Sequence, residues 1–311
     1  MQITATYYKG FEAYKIGTSV WEAVCVPQLG ANIAEITHLA TGRQWLWQNP
    51  RMPLAEHDYG CPYIQGSMSG FDECFPAIAA GPYPDMPFQG VAIPDHGEVW
   101  TSAWTVLVRG DALQLSVEGR SFPYRLERTF LVGDHEEMML HYTLTNMGEA
   151  PLLYNWSSHP VFAASAGMRV LLEEGASLLV EGSRGDRLGP QGSRLKWPGG
   201  RHKLDVVHQP GGQEVVDKIF AEGVTGPTGL YHPESNSHLL FRYNSAEINT
   251  VGIWLSIAGL PEEHCVAVEP CKGNTDSLAG SLELGTASRL EPGGRHDWEM
   301  ALAFGMGIPR L

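Results

Sequence analysis

The stretch WTVLVRGDALQLSV, residues 104–117, and the stretch YRLERTFLVGDHEEMMLHYTLT, residues 124–145, alternate apolar and polar side chains. Each stretch is interrupted once by a turn sequence, Gly110-Asp111 in the first and Gly133-Asp134 in the second. A period of two that Gly and Asp break roughly every 8–12 residues is typical of antiparallel strands in a sandwich or barrel. The two stretches therefore predict four consecutive strands.

The same period recurs on both sides of this region, whereas helical signals are weak. Only residues 276–279 indicate a short helical turn, and the chain shows neither an internal repeat nor a linker. The sequence therefore predicts an all-β fold, a large antiparallel β-sandwich with few short helices, as a single domain over residues 1–311. The further predicted strands are residues 14–17, 21–26, 31–38, 45–47, 152–156, 239–243, 250–257, 265–269 and 296–304.

The charge balance narrows the class of partner. The chain has 21 Lys and Arg against 35 Asp and Glu, which gives a formal net charge of −14. A surface of that sign repels phosphate backbones and anionic lipids, so neither nucleic acid nor a membrane is expected as a partner. A neutral or cationic small molecule is more compatible with this negative charge as a partner.

The cysteines and the chain start indicate the compartment. The five cysteines have irregular spacing without a CxxC pair, which argues against both a disulfide framework and a zinc site. No apolar run reaches about 18 residues, and the first residues do not form a secretory signal. We therefore expect a cytoplasmic protein with reduced cysteines.

Candidate functional residues concentrate in four segments that combine titratable and aromatic side chains. Long ordered loops on a β scaffold are common places for binding sites. The segments are Gly70–Pro76 (GFDECFP), Pro94–Trp100 (PDHGEVW), Tyr154–Phe162 (YNWSSHPVF) and Val266–Gly273 (VAVEPCKG).

His159 and Glu269 are the strongest individual candidates. His159 precedes a proline, which favours an extended backbone, and an imidazole there can titrate near neutral pH. Glu269 ends the apolar run Val266-Ala267-Val268, where burial would raise its pKa and suit it to act as a base. The alternatives are a structural loop histidine for His159 and an ion pair with Lys272 for Glu269.

His96 and the pair Asp72-Glu73 are weaker candidates. His96 lies between Asp95 and Glu98, which favour its protonated form, although it could also be a solvated turn residue. Asp72-Glu73 lies between two phenylalanines, so at least one carboxylate should point inward, with a loop cap as the alternative. Metal binding by His96, His159 and a carboxylate is conceivable, but no HxH or HExxH spacing supports it.

No motif indicates a bound cofactor or a catalytic nucleophile. The chain lacks GxSxG, lacks GxGxxG after a strand, and lacks GxxxxGK[ST], so neither an acyl-enzyme nor nucleotide binding is expected. The nine tryptophans favour sugar binding, because the apolar face of a pyranose packs on an indole ring.

Three short motifs in this order resemble the aldose 1-epimerase, or galactose mutarotase-like, superfamily. They are His96-Gly97, the stretch Asn155-Trp156-Ser157-Ser158-His159-Pro160, and Glu269-Pro270. The resemblance covers most of the chain and implies a large antiparallel β-sandwich. It implies Glu269 as general base, His159 as general acid and His96 as a ligand of a sugar oxygen, without metal or cofactor.

The chain departs from the family pattern in two ways. The family places an Arg before its first histidine motif, but residues 64–76 contain none, which makes a sugar phosphate a less suitable substrate. The family's substrate-binding Asp has three candidates here, Asp186, Asp205 and Asp217. The substrate-binding residues predicted with the resemblance in mind are Asp72, Glu73, Asn155, Phe71 and Trp254.

The leading hypothesis is therefore a mutarotase or epimerase that interconverts the anomers of an unphosphorylated monosaccharide, acting as a monomer or homodimer. The alternative is a non-catalytic carbohydrate-binding protein of the same fold. A lyase acting on acidic polysaccharide is a third possibility, which the net charge of −14 disfavours.

Overall fold

The computed structural model describes residues 1–208, 214–258 and 264–311, and almost all of its regular structure is β. Within those ranges there is one α-helix, α1 (Leu278–Glu283), which begins where the Ser277 side chain accepts a hydrogen bond from the Gly280 backbone N–H. Four 3-10 turns cover Tyr63–Gln65, Asp134–Glu136, Arg184–Asp186 and Gly200–His202. The predicted antiparallel β-sandwich with few short helices is confirmed.

The strands, in chain order, are β1 (Gln2–Tyr8), β2 (Phe11–Gly17), β3 (Trp21–Val26), β4 (Asn32–His38), β5 (Arg43–Gln44), β6 (Phe71–Cys74), β7 (Gly81–Pro82), β8 (Ala92–Ile93), β9 (Thr105–Arg109), β10 (Ala112–Glu118), β11 (Tyr124–Val132), β12 (Met138–Asn146), β13 (Leu152–Tyr154), β14 (Trp156–Ala163), β15 (Arg169–Leu171), β16 (Ser177–Ser183), β17 (Arg194–Lys196), β18 (Val215–Glu222), β19 (Thr228–His232), β20 (Ser237–Tyr243), β21 (Thr250–Ile257), β22 (His264–Lys272), β23 (Ser288–Leu290) and β24 (Arg295–Met306).

Two large sheets hold most of these strands. The larger sheet has the order β1-β2-β3-β4-β6-β14-β22-β21-β18-β16-β17, with β5 paired to β4. The smaller sheet has the order β15-β19-β20-β24-β12-β11-β10-β9. The centre of the larger sheet therefore brings β6, β14, β22, β21 and β18 side by side, although they are far apart in the chain.

The two sheets pack through large aromatic side chains. Trp156 of the larger sheet lies 4.9 Å from Tyr142 and 5.1 Å from Trp298 of the smaller sheet, measured between ring centroids. All three rings are buried. Aromatic rings in such edge-on contacts contribute about 0.5–1.5 kcal/mol per pair beyond the burial of their area.

A buried ion pair also joins the sheets. The Arg128 guanidinium of β11 donates to Glu73 Oε1 of β6 at 3.0 Å, and both side chains are fully buried. Tyr142 donates to the same oxygen at 2.8 Å, and the Trp156 indole donates to Oε2 at 2.8 Å. With three donors the buried carboxylate is well satisfied, which offsets the cost of its desolvation and holds β6 against the smaller sheet.

Alternation along β6 then determines what the opposite face of the larger sheet carries. Phe71 and Glu73 point into the core, so Asp72 and Cys74 point to the other side, which we call the outer face. The described residues contain no helix with the length and hydropathy of a membrane span.

Candidate active site

Strand register brings the main candidate residues into one row on the outer face. Asp72 of β6 is paired with His159 of β14, and Glu269 of β22 is paired with Gly252 of β21. Because β14 and β22 pair Ser157 with Cys271 and Val161 with Ala267, the register also sets His159 opposite Glu269. Residues opposite each other in a sheet share a face, so these side chains project to the same side.

An open cavity of about 680 Å³ lies over this row. His159, Lys218 and Trp254 line it from the sheet, and His96, Asp276 and Tyr63 line it from the loops. Much of this space is open to solvent, and its enclosed part is about 230 Å³, somewhat below the range of about 300–1,000 Å³ that is usual for sites of drug-sized ligands.

Glu269 lies beneath the cavity and is fully buried. Its Oε2 accepts a hydrogen bond from Lys218 Nζ at 2.5 Å, while Oε1 has no partner among the described residues. Burial raises the pKa of Glu269, and the Lys218 ammonium opposes that rise. Burial likewise acts to lower the pKa of Lys218, but Glu269 and Asp276, whose Oδ1 lies 3.7 Å from Nζ, raise it overall.

A glycine makes room for this carboxylate. A Cβ atom at Gly252 would lie 3.0 Å from Glu269 Oε2 and 3.3 Å from Glu269 Cβ, closer than most real contacts. The absence of a side chain at position 252 therefore lets Glu269 lie flat on the outer face and reach Lys218.

His159 belongs to a hydrogen-bonded chain of buried groups. The Tyr63 hydroxyl lies 3.0 Å from Asp72 Oδ2, to which it donates, and 3.3 Å from His159 Nδ1. A hydroxyl that donates to Asp72 accepts from His159, which places the imidazole proton on Nδ1 and leaves Nε2 unprotonated. Asn32 Nδ2 donates to Asp72 Oδ1 at 2.7 Å.

Burial shifts the pKa values of His159 and Asp72, two members of this hydrogen-bonded row, in opposite directions. Burial lowers the pKa of His159 well below its ordinary value, and the nearby His96 and Lys218 add to the effect. Burial raises the pKa of Asp72 to about 6, although its hydrogen bonds to Asn32 and Tyr63 oppose the rise. At neutral pH the empty site therefore holds a neutral His159 imidazole.

His96 reaches the cavity because of the turn that carries it. Its backbone φ is +59°, and Gly97 follows with φ +77°. A Cβ at Gly97 would lie 2.0 Å from the Phe75 carbonyl oxygen, so only glycine fits there. The His96 ring stacks on Tyr63 at 3.9 Å and lies 5.0 Å from the His159 ring, and its Nδ1 is 2.9 Å from Asp95 Oδ1.

Solved structures resemble the whole chain. A galactose mutarotase-like protein from Clostridium acetobutylicum superposes with a TM-score of 0.72 at 13% identity, over 98% of this chain and 98% of that chain. A protein from Escherichia coli K12, provisionally named an aldose 1-epimerase, gives 0.70 at 17% identity over 94% and 99%. A galactose mutarotase related enzyme from Lactobacillus acidophilus gives 0.67 at 13% identity over 95% and 98%.

The chain has the galactose mutarotase-like fold. The resemblance that the three motifs indicated is thereby confirmed for the architecture. No protein-family model matches the sequence, and no curated protein matches it either. Identities this low carry the fold alone, so the reaction has to be argued from the site.

The galactose mutarotase-like fold brings some of the predicted residues together. His96, His159 and Trp254 line the cavity, and Glu269 lies beneath it in contact with Lys218. Asp72 lies behind the same wall, bonded to Tyr63, and it lines a smaller neighbouring cavity.

Other predicted residues lie elsewhere in the mutarotase-like fold. Phe71 and Glu73 point into the core between the sheets. Asn155 is buried and donates to Ser281 Oγ at 2.9 Å, away from the described lining of the cavity.

The three aspartates considered for sugar binding are also outside the described lining of the cavity. Asp217 is buried and pairs with Arg187, while Asp205 pairs with Arg169 at 3.0 Å. Asp186 lies in an exposed turn.

Sequence reasoning missed Tyr63, Lys218 and Asp276, which line the cavity together with Asp95. For Lys218 a signal existed, because a lysine within the apolar strand Val215–Glu222 should have a buried partner. Tyr63 and Asp276 lie in loops, where no periodicity marks which side chains face inward. Lys218 is the only Lys or Arg in the described lining.

Proposed function

We propose that the protein interconverts the α and β anomers of an unphosphorylated aldose. The observation that carries the proposal is the register of β14 and β22, which sets His159 opposite Glu269 beneath one open cavity that also contains His96. Proton transfer at two oxygen atoms of one sugar ring needs a donor and an acceptor held a few ångströms apart on one side of the site.

The residues divide the reaction as follows. Glu269 takes the proton of the anomeric hydroxyl, the bond from C1 to the ring oxygen breaks as the aldehyde forms, and His159, which must first take up a proton on Nε2 and become an imidazolium, gives that proton to the ring oxygen. After rotation about C1–C2 the ring hydroxyl adds to the other aldehyde face, returns its proton to His159, and the anomeric oxygen takes the proton back from Glu269. The cycle consumes no proton, and His96 orients a sugar oxygen.

The environments of the two groups bear on this division. Burial lowers the pKa of His159, so its imidazolium is a stronger acid than that of an ordinary histidine. Burial raises the pKa of Glu269, so its carboxylate is a stronger base. Both directions favour the individual proton transfers, while they reduce the fraction of molecules in which His159 is protonated and Glu269 is ionised.

The charges of the cavity favour an unphosphorylated substrate. Lys218 already pairs with Glu269 and lies near Asp276, so it is not available to neutralise a phosphate. Asp95 and His96 form a second local pair at 2.9 Å. Trp254 offers an indole at the wall for the apolar face of a pyranose.

Polarimetry of freshly dissolved α-anomers from a panel of aldoses tests the proposal. Glu269→Gln keeps the size of the side chain but removes the base, and we expect anomer exchange to fall by roughly 10²–10⁴-fold. The matched control is Glu299→Gln, an exposed residue of β24 in the smaller sheet, which should retain the wild-type rate. Equal rates for wild type and Glu269→Gln across the panel would reject the assignment.

One observation favours the alternative, a carbohydrate-binding protein without turnover. Glu269 is fully buried, and Lys218 holds its Oε2 at 2.5 Å. If that pair never opens to the sugar, the cavity binds a monosaccharide but does not act on it. Calorimetric sugar binding with no anomer exchange by NMR would support this alternative, and any turnover would remove it.

A further inference from the structure

We propose that Asp276 and Lys218 bind the sugar hydroxyl next to the anomeric carbon, and that they restrict the substrate to aldoses with a free hydroxyl at C2. The inference rests on the proposed function, because it takes Glu269 as the group that meets the anomeric hydroxyl. It assigns the choice of sugar to Asp276, a residue that lies in none of the sequence motifs.

The strand order of the larger sheet places the groups beneath the cavity in a row. His159 lies on β14, Glu269 on the adjacent strand β22, and Lys218 on β18, which is two strands further along the sheet. Lys218 Nζ reaches back across the sheet to Glu269 Oε2, at 2.5 Å. His159 and Lys218 therefore flank Glu269 on opposite sides.

The connectivity of a pyranose ring matches this row. The anomeric carbon has two neighbours in the ring, which are the ring oxygen and C2. A sugar with its ring oxygen at His159 and its anomeric hydroxyl at Glu269 therefore has C2 and the C2 hydroxyl on the side of Lys218.

Asp276 lies on the cavity wall beside Lys218. Its Oδ1 is 3.7 Å from Lys218 Nζ, longer than a hydrogen bond, and makes no hydrogen bond to another described residue. The side chain lines the cavity and is 23% exposed, and because Oδ1 is buried, Oδ2 is the oxygen that a ligand can reach. An ionised carboxylate only accepts hydrogen bonds, so it requires a donor from the ligand.

Together the two side chains complement a hydroxyl group. The Lys218 ammonium has three N–H donors, of which Glu269 takes one. A hydroxyl accepts a hydrogen bond from Lys218 and donates one to Asp276, whereas a hydrogen atom at C2 does neither. A 2-deoxy sugar would therefore displace water from two charged groups without replacing its hydrogen bonds.

The backbone holds Asp276 in a fixed position. Its N–H donates to Glu181 Oε1 at 3.3 Å, and its carbonyl oxygen accepts from the backbone N–H groups of Ile78 and Ala79, at 3.1 and 2.8 Å. A carboxylate on a backbone that is anchored in this way loses little conformational freedom when a ligand binds. This rigidity favours discrimination between similar sugars.

Exchange rates for a sugar and its 2-deoxy analogue test the proposal, because the two differ only in this hydroxyl. The pairs are D-glucose with 2-deoxy-D-glucose and D-galactose with 2-deoxy-D-galactose, measured by exchange NMR after subtraction of the uncatalysed rate. For the wild type we expect kcat/KM to be about 10–100-fold lower for the 2-deoxy sugar, mainly through KM, since this hydroxyl does not react. In Asp276→Ala the ratio between the two sugars should fall to about 1–3.

The ratio isolates the contact with the hydroxyl. Any effect of Asp276 on Glu269 changes the exchange of both sugars alike and cancels. The matched control is Asp111→Ala, an exposed residue of the turn between β9 and β10, which should keep the wild-type ratio. If Asp276→Ala does not fold, as judged by circular dichroism, Asp276→Asn replaces it, because the amide keeps the size of the side chain but lacks the charge that strengthens the hydrogen bond.

The proposal is overturned if the wild type exchanges a sugar and its 2-deoxy analogue equally well, or if the Asp276 variant keeps the wild-type ratio while exchange continues. If no sugar is exchanged, calorimetric affinities for the same pairs replace the rates. A preference for the 2-hydroxy sugars that Asp276→Ala removes would then reject the anomer exchange and retain the binding role of Asp276. Absence of that preference would reject both.

Discussion

Lys218 shows how one side chain decides the charge state of the whole site. Its largely buried ammonium pairs with the fully buried Glu269, and no residue near position 218 in the sequence indicates this partner. A buried cation and a buried carboxylate compensate each other, so loss of either one leaves an isolated charge. Which carboxylate pairs with Lys218 depends on how the strands align with one another. The pattern of residues within one strand carries no information about that alignment.

Replacement of this lysine should raise the pKa of Glu269 further. We expect Lys218→Met to lower the anomer exchange rate at neutral pH by about 10²-fold, because Glu269 then holds a proton. Activity should recover as the pH rises through the new pKa, where the carboxylate forms again. We also expect a loss of about 3–5 kcal/mol in the free energy of unfolding.

The pH dependence of the rate, measured by polarimetry, separates this effect from simple unfolding. Above the new pKa of Glu269, the double variant Lys218→Met/Glu269→Gln should be more stable than Lys218→Met, because only the single variant then buries an unpaired carboxylate. A pH profile for Lys218→Met that coincides with the wild-type profile would contradict the role given to Lys218.

At the scale of the element, the sequence predicted strands of both sheets. Residues 124–132 of the smaller sheet and 250–257 of the larger sheet were predicted with the bounds that the structure shows, because Gly133 and Asn249 mark turns beside them. The motif strand β14 was not predicted, since all but its last residue are buried and its sequence WSSHPVFA does not alternate. Residues 45–47, predicted as a strand, form only an isolated bridge from Leu46 to Phe162.

Part of the candidate site could be predicted from short motifs, because His96, His159 and Glu269 occur in motifs whose order resembles that of a known family. The roles of Asp72 and Glu73 could not be separated in this way, because these neighbours differ mainly in the face of the sheet to which they point. Alternation predicts that the two acidic residues point to opposite faces of the sheet. It does not say which of them faces the core; Glu73 does so because Arg128 of the smaller sheet pairs with it there. The partners of Lys218 have no local signal.

Strand β21 provides a test at this scale, because its Gly252 faces Glu269. Gly252→Ala should push the carboxylate away from Lys218 and cost about 1–3 kcal/mol in the free energy of unfolding. We expect anomer exchange to fall as well, since a displacement near 1 Å at a catalytic group can cost about 10²-fold. Denaturant unfolding and polarimetry measure the two effects.

Gly182→Ala is the matched control for this change. Gly182 lies in β16 of the same sheet, and a Cβ there would meet nothing within 4 Å. Similar losses in both variants would show that the effect at position 252 comes from the strand and not from contact with Glu269.

At the scale of the whole molecule, the contact between the sheets contributes to stability. The titration of Cys25, whose thiol is buried at this contact, makes that contribution measurable. The thiol is fully buried beside Arg128, whose Nη2 lies 3.7 Å from Sγ. Burial raises the pKa of Cys25 to about 11 from an ordinary value of 9.0, although Arg128 opposes the rise. The unfolded chain therefore loses this proton before the folded chain does.

This difference predicts a loss of stability at alkaline pH. The stabilising contribution is present below pH 9 and is lost as the pH rises toward 11, with a total of about 3 kcal/mol at one pKa unit per 1.36 kcal/mol. Cys25→Ala should lack this component, so its free energy of unfolding should fall less between neutral and alkaline pH. Denaturant titrations of both proteins under reducing conditions measure the difference, and parallel curves would contradict the prediction.

The central claim is that Glu269 and His159 act on one sugar as a unit, and the anomer exchange rate of a double variant tests it most directly. Exchange NMR on the responsive aldose should give equally slow rates for Glu269→Gln, His159→Gln and the double variant, because removal of either partner already breaks the cycle. Losses that multiply in the double variant, or single variants that keep the wild-type rate, would contradict the account.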